Sequence, residues 1–246
     1  MSVSELGAPA MLTLVVDPAP IPIRAPGVKG STRVQEPSRS ERAIARRTAE
    51  ARATIPDLEL GAAVDMRACL ALHAGTACSV TAILVRACAL ALRGVPRANA
   101  AYRDGRFELY SRVNVGVVVA TDDGEAIAAV LDADQKPLEV LSDEIERLTG
   151  RAGRGELTPP ELSGATFTLS DLSGCGVAHA STTISPPHAA AIAAGAIREV
   201  PVVRDQAIVP GFVMALTLAC DHRILYGAQA ARFLSRVQSL LEGAEL

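Results

Sequence analysis

The sequence predicts an α/β protein of two-layer α+β build, a mixed β-sheet with helices laid across it. Three observations lead there. Runs with the period-two alternation of strands recur along the chain and trade places with stretches of helical period. Some neighbouring strand runs are joined by tight turns and others by helix-length connections, so the sheet must hold antiparallel and parallel pairs together. Hydrophobic residues fill 49% of the 246 positions, enough to bury a sizeable core in one large domain or in two small ones.

Residues 1–38 read as an extended Pro-rich arm, because each proline in "DPAPIPIRAPGVKG" lacks an N–H and restricts the residue before it. Within the arm, "MLTLVV" is a strand candidate. The domain proper spans residues 39–246. It opens with "SRSERAIARRTAEAR", a helix with Ser38 or Ser40 as its cap and a basic, solvated face. "DLELGAAVDM" alternates as a strand. "SVTAILVRACALALRGVP" is a buried helix, capped at Ser79 or Thr81 and stopped by Gly94 and Pro96. "RVNVGVVVATDDG" and "EAIAAVLDAD" are two strands joined at Asp123-Gly124. "PLEVLSDEIERLTGRAGRG" is an amphipathic helix with a Gly-rich stop. "ATFTLSDL" and "AAIAAGAIREVPVV" are strands, and "AIVPGFVMALTLAC" is a long one after a turn at Asp205-Gln206. "GAQAARFLSRVQSLLEGAEL" closes the chain as an amphipathic helix.

Composition removes several function classes. A net charge of −3, no Trp and 3% aromatic residues supply neither the basic field nor the stacking surfaces that nucleic acid or an anionic membrane calls for. The five cysteines are odd in number, scattered through apolar segments and without a CxxC pair, which reads as a reduced, cytoplasmic protein with buried thiols and no metal. The N-terminus lacks a basic region ahead of its short apolar run, unlike a signal peptide. No apolar run approaches the roughly 20 residues of a membrane span.

Chemistry is then sought among four histidines. His73, placed in a short loop after "CLAL", and His188, after two prolines on a turn, read as bystanders. His179, in the loop "SGCGVAHASTT", is a pocket-lining candidate. His222 differs, because it stands where a strand ends and a helix begins. From there a rigidly held side chain projects into a cleft, and an imidazole that titrates near neutrality is a natural general base.

"DHRILYGAQAARFL" resembles the C-terminal signature of the 2-oxo acid dehydrogenase acyltransferases, in the catalytic domain of their E2 component. Chloramphenicol acetyltransferase shares that fold and its histidine. "ERAIARRTAEARATIPDLEL", "VNVGVVVATDDG", "GELTPPELSGATFTLSDLSGCGV" and "ISPPHAAAIAAGAIRE" resemble further segments of the family in the same order, from about residue 33 to 243. The resemblance implies a chloramphenicol acetyltransferase-like sheet and a homotrimer whose active site lies between subunits. It implies His222 as the base that deprotonates the acceptor, Ser170 as the donor to the oxyanion, and acetyl-CoA as the acyl donor. Asp221 and Arg223 match as structural residues. The family's carboxylate four residues after the histidine is replaced by Tyr226, which leaves an arginine without its partner, with Arg42, Arg46 and Arg47 as candidates. Asp171, Cys175 and Ala180 also depart from the family pattern. Together with His179 and Tyr226 they are the expected substrate-binding positions.

About 32 residues precede the match, without a lipoylation turn, so no lipoyl group is expected on this chain. The resemblance also implies a Leu-rich tail that locks trimers into cages, which "LLEGAEL" lacks, so a free trimer is expected. The reading these features favour is an acyl-CoA-dependent O-acyltransferase acting on the hydroxyl of a small molecule such as a tetronate-type natural-product intermediate. The alternatives are an E2 core that serves a separately encoded lipoyl domain, and an inactive trimeric scaffold.

Overall fold

The computed structural model describes residues 23–28, 30–76 and 78–246. The "MLTLVV" strand expectation lies outside these residues. The arm is less featureless than its prolines suggest. β1 (Ile23–Gly27) and β2 (Gly30–Arg33) form a small antiparallel hairpin there.

α1 (Arg39–Thr54) starts where the spacing of Ser38 and Glu41 says it should. The Ser38 hydroxyl accepts the Glu41 N–H at 3.1 Å and the Glu41 carboxylate accepts the Ser38 N–H at 2.6 Å, which satisfies two end groups reciprocally. β3 (Asp57–Asp65) follows, and then α2 (Arg67–Thr76), a helix where the sequence places a loop around His73. His73 therefore lies in the last turn of a helix, with Nδ1 2.6 Å from the Cys78 carbonyl oxygen. α3 (Val80–Gly94) is the buried helix expected. Ser79 caps it by accepting the Ala82 N–H, while Thr81 is committed elsewhere.

β4 (Ala100–Arg103) and β5 (Arg106–Leu109) form a second hairpin that the sequence reading missed. All four residues of β5 are exposed, so no alternation marked it. The usable signal was Asp104-Gly105, both at positive φ, a dipeptide suited to a tight hairpin turn. β6 (Val115–Thr121) and β7 (Gly124–Val130) pair as expected. α4 (Leu138–Gly153) and the short α5 (Pro159–Ser163) lead to β8 (Phe167–Asp171). β9 (Ala190–Ala194), β10 (Arg198–Arg204), β11 (Ala207–Asp221) and α6 (Gly227–Gly243) complete the chain.

The main sheet runs β10-β11-β9-β8-β6-β7, with β3 also paired to β11. β6-β8 and β8-β9 are parallel and the other pairs antiparallel, the mixture the connection lengths predict. "AAIAAGAIREVPVV", read as one strand, is two. β9 and β10 both run along β11, but the ladder breaks at Gly195–Ile197, where the Ala196 N–H turns to the Val177 carbonyl at 2.7 Å. A Cβ at Gly195 would lie 2.4 Å from the Ala178 carbonyl oxygen, so only glycine lets this loop cross so closely.

One face of the sheet builds the main core. Leu169, Ile192, Leu216 and Leu218 pack there with Leu84 and Leu92 of α3, Leu141 and Leu148 of α4 and Phe233 of α6. Phe167 and Phe233 meet edge to face at 5.6 Å. On the opposite face Ala219 packs with Ala51, Ile55 and Ile184. Among the described residues no single helix is long and apolar enough to cross a membrane.

Candidate active site

The end of β11 is anchored from several directions. Asp221 is buried, and its carboxylate takes three hydrogen bonds from the Arg223 guanidinium at 2.9, 3.2 and 2.7 Å and a fourth from the Arg223 N–H. The Asp221 carbonyl accepts the N–H groups of Ile224 and Leu225, and the Asp221 N–H donates to Ala189. The His222 N–H donates to the Pro56 carbonyl at 2.9 Å, tying the turn to the α1–β3 junction. Arg223 lies over the Tyr102 ring at 4.6 Å.

His222 itself is exposed, and among the described residues neither of its ring nitrogens has a hydrogen-bond partner. Its one ring contact is Tyr226, edge to face with centroids 5.9 Å apart. The arginine beside that tyrosine comes from none of the positions expected on α1. It is Arg97, just after α3, whose guanidinium stands 5.8 Å from the Tyr226 ring and 4.7 Å from Phe107. Arg42 instead donates to the Pro37 carbonyl. The neighbouring thiol of Cys220 is pushed up to about 12, first by burial, which removes it as a nucleophile.

Ser170 sits near the end of β8, its Oγ 3.3 Å from the Thr182 hydroxyl. The expected substrate-binding residues here have partners of their own. Asp171 accepts the Thr81 hydroxyl at 2.6 Å and the Ser173 N–H at 2.9 Å, an arrangement that closes the strand end. His179 Nε2 lies 3.1 Å from the Thr217 hydroxyl. Cys175 is exposed and Ala180 half-buried on the same loop. The structure thus gathers Ser170 and Asp171 at the end of β8 with Cys175, His179 and Ala180 on the loop after it, and places His222 with Tyr226 after β11.

The two groups are far apart in one chain. The register sets Ser170 level with Ala193, and Ala193 level with Thr217. His222 lies five residues further along β11. At strand spacings that is about 16 Å along and about 10 Å across, too far for one reacting atom to touch both.

His188 is not the surface bystander expected. It is buried, with Nδ1 2.9 Å from the Thr168 hydroxyl and Nε2 2.9 Å from the Ala165 carbonyl. Burial foremost, together with the Arg47 cation, lowers its pKa to about 4. A cavity of about 540 Å³ beside it is lined by Arg47, Arg103, Arg112 and Asn114, among others, and by none of the seven residues expected from sequence to form the site. Arg97, Thr182 and Pro56 are not singled out as site residues by the sequence, although Pro56 and Thr182 lie in segments that it marks. Their partners lie in distant segments, and no local pattern marks those contacts.

A family model described as 2-oxoacid dehydrogenases acyltransferase (catalytic domain) matches residues 29–246. The dihydrolipoyllysine-residue acetyltransferase component of the pyruvate dehydrogenase complex of Zymomonas mobilis is 34% identical over 214 residues, covering 83% of this chain and 49% of that protein. Component 2 of the mitochondrial Arabidopsis thaliana complex is 35% identical, covering 70% of this chain and 32% of its own length. The chain thus spans half or less of the length of these relatives. Among solved structures, the dihydrolipoamide acetyltransferase of Azotobacter vinelandii superposes with a TM-score of 0.85 at 26% identity, covering 92% of this chain and 98% of that one. That work concerns a serine, a histidine and an asparagine in the catalytic mechanism, and the intervals between the three equal those between Ser170, His222 and Tyr226. Chloramphenicol acetyltransferase, at 15% identity and a TM-score of 0.55, shares the fold over 80% of this chain.

Proposed function

The chain belongs to the 2-oxoacid dehydrogenase acyltransferases by their catalytic domain, and from that premise we propose that it moves an acetyl group between CoA and a dihydrolipoyl thiol carried on a lipoyl domain. The hydroxyl acceptor expected from the sequence gives way here, because the relatives are dihydrolipoyllysine-residue acetyltransferases. The observation that carries the reading is the shared interval pattern of Ser170 and His222 with the serine and histidine of the Azotobacter enzyme.

His222 takes the proton of the CoA thiol as its sulfur attacks the acetyl-dihydrolipoyl thioester carbonyl. The Ser170 hydroxyl donates to the oxyanion of the tetrahedral intermediate. Collapse breaks the bond to the dihydrolipoyl sulfur, which takes the proton back from the imidazolium. The reverse direction uses acetyl-CoA as donor. Since Ser170 and His222 cannot meet within one chain, the serine comes from a neighbouring copy, and a homotrimer is the assembly proposed.

O-acyl transfer to a small alcohol is the second reading, favoured by Tyr226 where the Azotobacter enzyme has asparagine. Acetyl transfer from acetyl-CoA, read by mass spectrometry of the product, separates the two when dihydrolipoamide is set beside a panel of primary alcohols. Transfer to dihydrolipoamide that falls on the order of 10³-fold in His222→Ala is expected. Transfer to alcohols alone would overturn the lipoyl reading. Binding of acetyl-CoA without turnover on any acceptor would leave a scaffold.

A further inference from the structure

We infer that Arg97 and Tyr226 are positioning residues for His222, an aromatic clamp standing where relatives place a small polar side chain. The inference rests on His222 being the base.

The turn after β11 is pinned nearly everywhere except at the imidazole. Asp221, Arg223, Ile224 and the His222 backbone all have polar partners, but no hydrogen bond fixes either ring nitrogen among the described residues. A base must present one nitrogen to the substrate within hydrogen-bond reach. What restrains this ring is the side of Tyr226, met at 5.9 Å and an interplanar angle of 75°.

Tyr226 is itself 48% exposed, so core packing does not hold it. Arg97 does. Its guanidinium lies within cation–π range of the Tyr226 and Phe107 rings at once, and its Nη1 reaches the Ile224 carbonyl at 3.4 Å. One cation thus touches both the backbone of the turn and the aromatic ring that follows it. Phe107 backs the guanidinium from the β4–β5 hairpin, and Tyr102 of the same hairpin backs Arg223. The hairpin therefore braces the turn through two arginines, Arg223 at Asp221 and Arg97 at Ile224. A phenyl face suffices for the clamp, and the tyrosine hydroxyl is not required.

The test compares the assembled wild type with Tyr226→Leu, Tyr226→Phe, Arg97→Met, Arg97→Lys and His222→Ala. It uses steady-state acetyl transfer from acetyl-CoA to dihydrolipoamide, together with the NMR resonances of the His222 ring protons, assigned by their loss in His222→Ala. The expected result is a fall in kcat of about tenfold in Tyr226→Leu and Arg97→Met, with the KM for acetyl-CoA within about twofold. Tyr226→Phe and Arg97→Lys should recover most of the loss. In the first two variants the imidazole protons should also lose the ring-current shift that Tyr226 imposes. Unchanged kcat and resonances in both truncations, or an effect confined to KM, would overturn the inference. Turnover that survives His222→Ala would instead overturn the assignment of His222 as base, and a wild type without turnover on dihydrolipoamide would overturn the lipoyl reading; in either case the resonances alone would then decide the positioning.

Discussion

His188 shows how much one buried ring contributes without touching the reaction. The Thr168 hydroxyl donates to Nδ1 and Nε2–H donates to the Ala165 carbonyl, which fixes the neutral tautomer between two strands and leaves no room for a second proton. Its pKa is lowered to about 4 in the fold, against an ordinary value of 6.5. Between those values the unfolded chain binds the extra proton, so stability is complete above about pH 6.5 and is lost as pH falls toward 4. The loss attributable to this ring is about 3 kcal/mol. Urea titrations at pH 7 and pH 5 should show about 2 kcal/mol of it, the rest being lost only below pH 5, and His188→Gln should have a flatter pH dependence. An equal slope in the variant would exclude the ring as the cause. The two histidines also show what a sequence reveals at this scale. His222 was legible because its junction is local, a strand pattern running into a helix pattern. His188 was not, because its partners Ala165 and Thr168 lie some twenty residues upstream, just before and within β8, and two prolines before it signal only a turn.

Elements announced themselves where their signals are short-ranged. Ser38 or Ser40 before α1, Ser79 or Thr81 before α3 and Asp205-Gln206 before β11 are punctuation that acts on the nearest turn of chain, and the structure takes the first of each pair of caps, Ser38 and Ser79. The break between β9 and β10 was hidden, since its cause is the crossing loop at Val177–Ala178. Gly195→Ala should therefore destabilise by about 1–3 kcal/mol, because the clash is with backbone and no rotamer relieves it. A lower melting temperature, with faster hydrogen exchange at the Ala196 amide, is the expected observation. An unchanged melt would mean that the loop shifts freely. His179 rides on that loop, so the same variant should disturb its contact with Thr217.

At the scale of the molecule, the sheet order separates residues that the sequence sets side by side as one site. Residue types and motif order pointed to Ser170 and His222 together, but periodicity carries no distance between strand ends. In the proposed trimer each site joins His222 of one copy to Ser170 of the next. Ser170→Ala should lower turnover on the order of 10²–10³-fold. Co-assembly of the two inactive variants, Ser170→Ala and His222→Ala, should restore about a quarter of wild-type activity, since each mixed trimer regains one complete site in three. No recovery on mixing would return both residues to one chain and contradict the register of β8, β9 and β11. The same separation makes activity depend on concentration. A copy on its own carries two half-sites and no whole one, so dilution below the point where copies part should silence the protein while each chain stays folded.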